Sequence, residues 1–208
     1  MLEHRSLFLA RHYIRRRKQF IRELLAIFRP SFCLDLACGS GTYFELFGLC
    51  KAVGVDLSAD ACVVAKEKGT AYVVRADARN LPFRESVFDF IISLGLLHHQ
   101  PIAMTRIVGE IQRTMSARGT LVLDEPNGYN PLWRMELRRS RIDTAQTHLI
   151  NPRRLEKMLI MNGFVICSRT FYGFVYPEAI NLEKFELLVE KTPLRIIAIR
   201  IMIVAKRT

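Results

Sequence analysis

"CLDLACGSGTYFELF", residues 33–47, opens as an apolar run carrying one acid, Asp35, and then passes into Gly39-Ser40-Gly41. A buried strand that only had to turn would need a single glycine. Two of them bare the main chain over a short reach, which suits a backbone that something must lie against.

Four further segments share the apolar, β-branched character of that first strand, "FCLDLA" (32–37). They are "AVGVDL" (52–57), "AYVVRAD" (71–77), "FDFIISLG" (88–95) and "TLVLDEP" (120–126). Several are apolar on both faces, as strands of a parallel sheet covered by helices on both sides must be. Between them lie "SADACVVAKEKG", with Ser58 as N-cap, and "IAMTRIVGEIQRTMSARG", which reads as a helix closed by Gly119. Residues 1–30 form an N-terminal helical segment, with Phe20, Ile21, Leu24, Leu25 and Phe28 at helical spacing and Pro30 as its stop. The alternation predicts a doubly wound, Rossmann-like α/β fold.

After residue 126 the rhythm changes. "NPRRLEKMLIMNGF" (151–164) reads as a helix capped by Asn151, with Pro152 at its first position and Gly163 at its end. "VICSRTFYGFVY" is strand-like, "LEKFELLVEK" helical and "IRIMIVAK" strand-like again. Two late strands around a helix predict an antiparallel C-terminal edge on an otherwise parallel sheet. The 208 residues are expected to make one domain, 1–208.

In an open α/β sheet a ligand lies beyond the carboxyl ends of the strands. Asp35 and the glycine turn, Asp56, Asp77, and Ser93 with Leu94 all fall at such ends. The turn lacks the lysine of a P-loop and the third glycine of a dinucleotide fingerprint. Asp56, 21 residues beyond Asp35, is placed as an acid that takes a ribose diol. The pattern fits a nucleoside whose other end is not a pyrophosphate. Any single acid at a strand end serves equally well to cap the following helix.

"LDLACGSGTY", "VGVDLS", "VVRADARNLPF", "FDFIISLGLLHH" and "IQRTMSARGTLVLDEPN" resemble, in order and spacing, the motifs of class I S-adenosylmethionine-dependent methyltransferases. The small-molecule branch that methylates ubiquinone and menaquinone is the nearest in look. The resemblance covers residues 30–130 well and 150–208 loosely. It implies a mostly parallel seven-stranded sheet and S-adenosyl-L-methionine as cofactor. It also implies that Ala37, Cys38, Gly39, Ser40 and Gly41 pack against the methionine part, with Asp35 near its amino group. Asp56 would take both ribose hydroxyls and Leu57 would lie on the adenine. Asp77 would accept from the adenine amino group beside the Ala78 N–H, and Ser93 and Leu94 would line the methyl channel. Ala37 departs from the family, which more often has glycine there. His98 and His99 follow the strand that faces the methyl donor, and either could act as general base. In the family a paired histidine here is mainly structural.

The reading that follows is direct in-line methyl transfer to a small, lipophilic or aromatic acceptor. The segments 127–151, with Trp133 beside Arg134, Arg138 and Arg139, and 171–195 read as substrate-side lids. The alternatives are an RNA methyltransferase and a non-catalytic cofactor-binding protein. Lys and Arg outnumber Asp and Glu by 31 to 20, which favours nucleic acid, anionic membrane surfaces or acidic small molecules as partners. "RHYIRRRK" (11–18) could contact RNA phosphates or anionic lipid, or lie over the cofactor. No RRM or KH motif is present. The five cysteines show no metal-ligand spacing and read as reduced residues of a cytoplasmic protein. No signal peptide is expected, and "IIAIRIMIVA" (196–205) is too short to cross a bilayer.

Overall fold

A left-handed Arg29 (φ 44°) ahead of Pro30 ends the first helix, α1 (Leu2–Phe28), and turns the chain into the sheet. The computed structural model describes residues 2–48, 50–69, 71–131, 134, 149–173, 189 and 192–208, with side chains of α1 from Ile14 onward. Most of both expected lid segments, including Trp133, Arg138 and Arg139, and the helix expected over 182–191 lie outside the described residues.

The strands are β1 (Phe32–Leu36), β2 (Lys51–Asp56), β3 (Tyr72–Arg75), β4 (Phe88–Leu94), β5 (Met115–Pro126), β6 (Phe164–Tyr172) and β7 (Arg200–Arg207). They form one seven-stranded sheet in the order β3-β2-β1-β4-β5-β7-β6. The first five are parallel, whereas β7 runs antiparallel to both β5 and β6. The chain leaves β1 towards β3 and returns to place β4 on the other side of β1. That reversal opens a crevice at the carboxyl ends of β1 and β4.

Alternate residues of the central strands feed two cores. Leu34, Leu36, Ile91, Leu121 and Leu123 meet α3 (Met104–Thr114) and α4 (Pro152–Met161) on one face. Cys33, Phe90, Ile92 and Val122 meet Ile21 of α1 and the short 3-10 turn Phe44–Phe47 on the other. Between β2 and β3 runs α2 (Ala59–Glu67), capped by Ser58, whose hydroxyl accepts from the Ala61 N–H. Asn151 caps α4 in the same way, accepting from the Arg153 and Arg154 N–H groups. A Cβ on Gly54 of β2 would lie 2.4 Å from the Phe44 ring and 2.9 Å from the Cys38 sulfur. The missing side chain is the seat of that ring.

One boundary differs from the sequence reading. α3 ends at Thr114, and Gly119 lies inside β5 rather than closing the helix. Met115 pairs with Phe88 while Thr120 pairs with Phe90, so Ser116–Gly119 stand out as a bulge with Arg118 at φ 63°. Met115 is fully buried, and a Cβ at Gly119 would come within 2.5 Å of its side chain. The glycine permits a close approach; it is not a helix cap.

β5 ends in two adjacent, fully buried acids, Asp124 and Glu125. Asp124 accepts from Arg17 of α1 at 2.9 Å, from Arg200 of β7 at 2.8 Å through Nε, and from the Tyr172 hydroxyl of β6. Arg17 also donates to the hydroxyls of Tyr172 (3.1 Å) and Tyr43 (3.2 Å). Burial, and then Asp124 beside it, hold the Tyr172 phenol well above its usual range, so it stays protonated and donates. Burial opposes the Arg17 charge, but Asp124 and the two phenols outweigh it and keep the guanidinium charged. Removing one member of such a buried set strands the others. Asp124→Ala is expected to cost about 3–5 kcal/mol. Urea unfolding at neutral pH checks this, and a loss below about 1 kcal/mol would show that the set does not hold the elements together.

Candidate functional site

The turn after β1 is built from positive φ angles at Ala37 (61°), Gly39 (52°) and Gly41 (71°). These angles direct backbone groups outward in a way an ordinary L-residue resists, at roughly 1–2 kcal/mol per residue. Ala37 bears that strain, which gives a physical reason for the glycine more usual at its position. The turn is fixed from below, where the Cys38 N–H donates to the Val55 carbonyl and the Gly41 N–H to the Cys38 carbonyl.

Asp56, at the end of β2, steadies the turn from the side. One of its oxygens accepts from the Gly39 N–H (2.8 Å) and the other from the Ser58 N–H (2.9 Å). Each carboxylate oxygen keeps a further lone pair. Ala37, Asp56, Leu57, Asp77 and Ala78 line one recess of about 100 Å³ at the carboxyl ends of β1, β2 and β3. The structure therefore brings five of the residues singled out in the sequence to one concave surface. Leu57 is more than half exposed there.

Asp35 lies beneath this rim, fully buried, opposite Gly54 in β2 and Ile92 in β4. Its Oδ2 has no hydrogen-bond partner, and neither does the buried Ser93 hydroxyl at the end of β4. Burial, with a smaller push from the Asp56 charge, raises the Asp35 carboxyl from 3.8 to about 7. A buried acid without a partner is costly, and a cation placed against it would relieve that cost. Cys38 points away from the recess towards Gly54, and burial pushes its thiol up, as suits a packing residue. Among the described residues no cluster of His, Cys, Asp and Glu is arranged to hold a metal ion.

Asp77 is already paired. Arg79, two residues on, grips both its oxygens through Nε and Nη2 and donates its backbone N–H at 2.8 Å. That side-chain pairing holds the Asp77 carboxyl below the usual carboxylate range. Arg79 lines the recess and went unremarked in the sequence reading.

The paired histidines separate. Glu125, facing away from Asp124, accepts from the Leu97 N–H (2.8 Å) and lies 2.7 Å from the Nδ1 of His98. His98 is buried, whereas His99 is exposed and stacks on it with ring centres 3.9 Å apart. Glu125, Asp124, Arg17, Tyr43, Tyr172 and Arg200 were not foreseen as site residues. The available signal was "DEP", two acids closing a strand that is otherwise apolar on both faces.

Residues 34–123 match the family described as a methyltransferase domain. With the sheet order, the glycine turn and the acids at successive strand ends, residues 34–123 form a methyltransferase domain. Over 106 residues, half of this chain, it is 33% identical to the probable tRNA methyltransferase 9B of Bos taurus. Over 69 residues it is 42% identical to the tRNA (carboxymethyluridine(34)-5-O)-methyltransferase of Arabidopsis thaliana, matching 33% of this chain. The chain spans only 23% and 17% of the lengths of those two proteins, so the similarity is to one part of each. A crystal structure of a possible histamine N-methyltransferase from Thermotoga maritima superposes with a TM-score of 0.76, covering 99% of this chain and 94% of that one at 17% identity. That likeness shows the shared fold.

Asp35 makes stability depend on pH. The unfolded chain releases its proton near pH 3.8 and the folded one only near 7, so stability falls as pH rises between those values and the full penalty persists above them. Asp35→Asn removes the ionisation. It is expected to be more stable than the parent at pH 8 by roughly 2–4 kcal/mol, with the difference fading towards pH 4. Denaturant midpoints across that range check it, and equal stability at pH 8 would contradict it.

Proposed function

We propose that this chain transfers the methyl group of S-adenosylmethionine in line to a small, lipophilic or aromatic acceptor. The observation that carries the reading is Asp35, a buried carboxylate lacking a partner beneath a turn whose backbone is bared on the same rim. In this reading the Asp35 carboxylate faces the cofactor's ammonium. The main chain from Ala37 to Gly41, including Cys38 and Ser40, lies against the methionine portion. The unused lone pairs of Asp56 take the two ribose hydroxyls, since a diol suits a carboxylate already oriented by Gly39 and Ser58. Leu57 covers the adenine. Asp77 and the Ala78 N–H meet the edge of the base once Arg79 moves aside.

When bound, the sulfonium supplies a methyl carbon already activated for displacement. The chain has to orient the acceptor, exclude water and, for a hydroxyl acceptor, take its proton. Ser93 and Leu94 border the path at the end of β4. His98 is the residue we assign to proton removal, because Glu125 holds Nδ1 and leaves Nε2 to accept. The inward placement of Arg16 and Arg17 also supports a small acceptor, since two of the five cations in 11–18 are buried or nearly so and cannot serve a phosphate backbone.

A second reading, an RNA acceptor, is favoured by the relatives named as tRNA methyltransferases and by the net charge of +11. The two readings separate experimentally. Adenosylhomocysteine formation with panels of phenols, quinols and amines supports the first. Formation only with RNA, with binding that weakens steeply as salt rises, supports the second.

Two outcomes test the site itself. Adenosylhomocysteine, which keeps the ammonium, is expected to bind about tenfold more weakly for each pH unit below 7 as Asp35 takes up its proton. Asp56→Ala is expected to lose binding at every pH. Calorimetry checks both, and a flat pH profile would remove Asp35 from the site. For a hydroxyl acceptor, His98→Ala is expected to lower kcat by on the order of 10²–10⁴ with little change in KM, while His99→Ala stays near parent activity.

A further inference from the structure

Away from the cofactor rim, the sulfurs of Cys33 and Cys50 lie 2.8 Å apart. Cys33 is fully buried in β1, whereas Cys50 is half-buried in the turn that leads into β2. Cys50 opens onto a recess between α1 and the Phe44–Phe47 turn, lined also by Arg22, Leu25, Arg29, Glu45 and Phe47. Two guanidinium groups therefore flank the approach to one thiol, and the second thiol waits directly behind it. A bond between the sulfurs needs a shortening of only about 0.8 Å to reach the covalent length.

We propose that Cys33 and Cys50 form a reversible redox modification site, in which Cys50 reacts first with a small carboxylate-bearing disulfide and Cys33 then resolves the adduct into an internal disulfide. Glutathione disulfide is the probe of that class. The Cys50 thiolate attacks one of its sulfurs, the S–S bond breaks, a mixed disulfide forms on Cys50 and one glutathione leaves as thiolate, which takes up a proton. Cys33 then gives its proton to solvent and attacks the Cys50 sulfur. The Cys33–Cys50 bond forms and the second glutathione leaves. The two protein thiols lose two electrons in all, and one glutathione disulfide becomes two glutathiones.

The order of attack follows from position and hydrogen bonding. The hydrogen bond between the two sulfurs holds the Cys50 thiol below the ordinary range and pushes Cys33 up. Cys50 also has the access that Cys33 lacks. Arg22 and Arg29 offer cationic partners for the carboxylates of the incoming disulfide. Oxidation closes a ring running from residue 33 to residue 50, and Asp35 through Gly41 lie inside that ring.

Incubating the full chain in glutathione disulfide and glutathione at graded ratios, followed by acid quenching, alkylation and peptide mass analysis, tests the proposal. The expected result is a Cys33–Cys50 linked peptide, a loss of about 2 Da in the intact chain and complete reversal by dithiothreitol. Cys50→Ser is expected to abolish the linked peptide, and Cys33→Ala to accumulate a stable glutathione adduct on Cys50. Because the alkylation pattern of the unmutated chain is itself decisive, a poorly folding Cys33 variant does not spoil the test. Modification confined to the exposed Cys167, with Cys33 and Cys50 both alkylated at every ratio, overturns the proposal. So does a Cys50 adduct in the unmutated chain that never expels its glutathione.

Discussion

The end of β5 carries two carboxylates in succession, and the pleat of a strand sends them to opposite faces of the sheet. Asp124 gathers α1, β6 and β7 through Arg17, Tyr172 and Arg200, while Glu125 gathers the loop after β4 through the Leu97 N–H and His98. Neither acid reaches water. Burying two charges side by side is tolerable only because each is surrounded by donors, and those donors come from α1, β6, β7 and the loop after β4. Before any ligand arrives, the crevice is shaped by the needs of these two side chains.

A different pattern governs the side of the glycine turn. There the turn after β1 is satisfied by its own backbone and by Asp56, while Asp35 and Ser93 each retain a buried polar atom with nothing to bind. The two acids of β5 are surrounded by donors, whereas Asp35 and Ser93 are left short.

Much of this was legible in the sequence. Apolar runs alternating with helical periods gave the parallel sheet, Ser58 and Asn151 announced their helices, and the acids at successive strand ends gathered on one rim as their spacing implied. The failures have physical causes. Gly119 looked like a helix terminator because the sequence does not reveal that Met115 must pair with Phe88. The basic run 11–18 reads in the sequence as a contact for RNA phosphates or anionic lipid, or as a cover over the cofactor, yet Arg17 turns inward to Asp124, more than a hundred residues away in the chain. Arg79 and the Cys33–Cys50 pair escaped notice for the same reason, since their meaning lies in contacts that only the folded chain creates.

Gly54 has no side chain to offer any chemistry, and the Phe44 ring and the Cys38 sulfur occupy the space a side chain would need. The turn after β1 is thus keyed into the neighbouring strand like a tenon in its mortise. Variation at this position and variation in the turn cannot proceed independently, so a shape constraint here would imitate, in any survey of tolerated substitutions, the signature of a residue that handles the ligand itself.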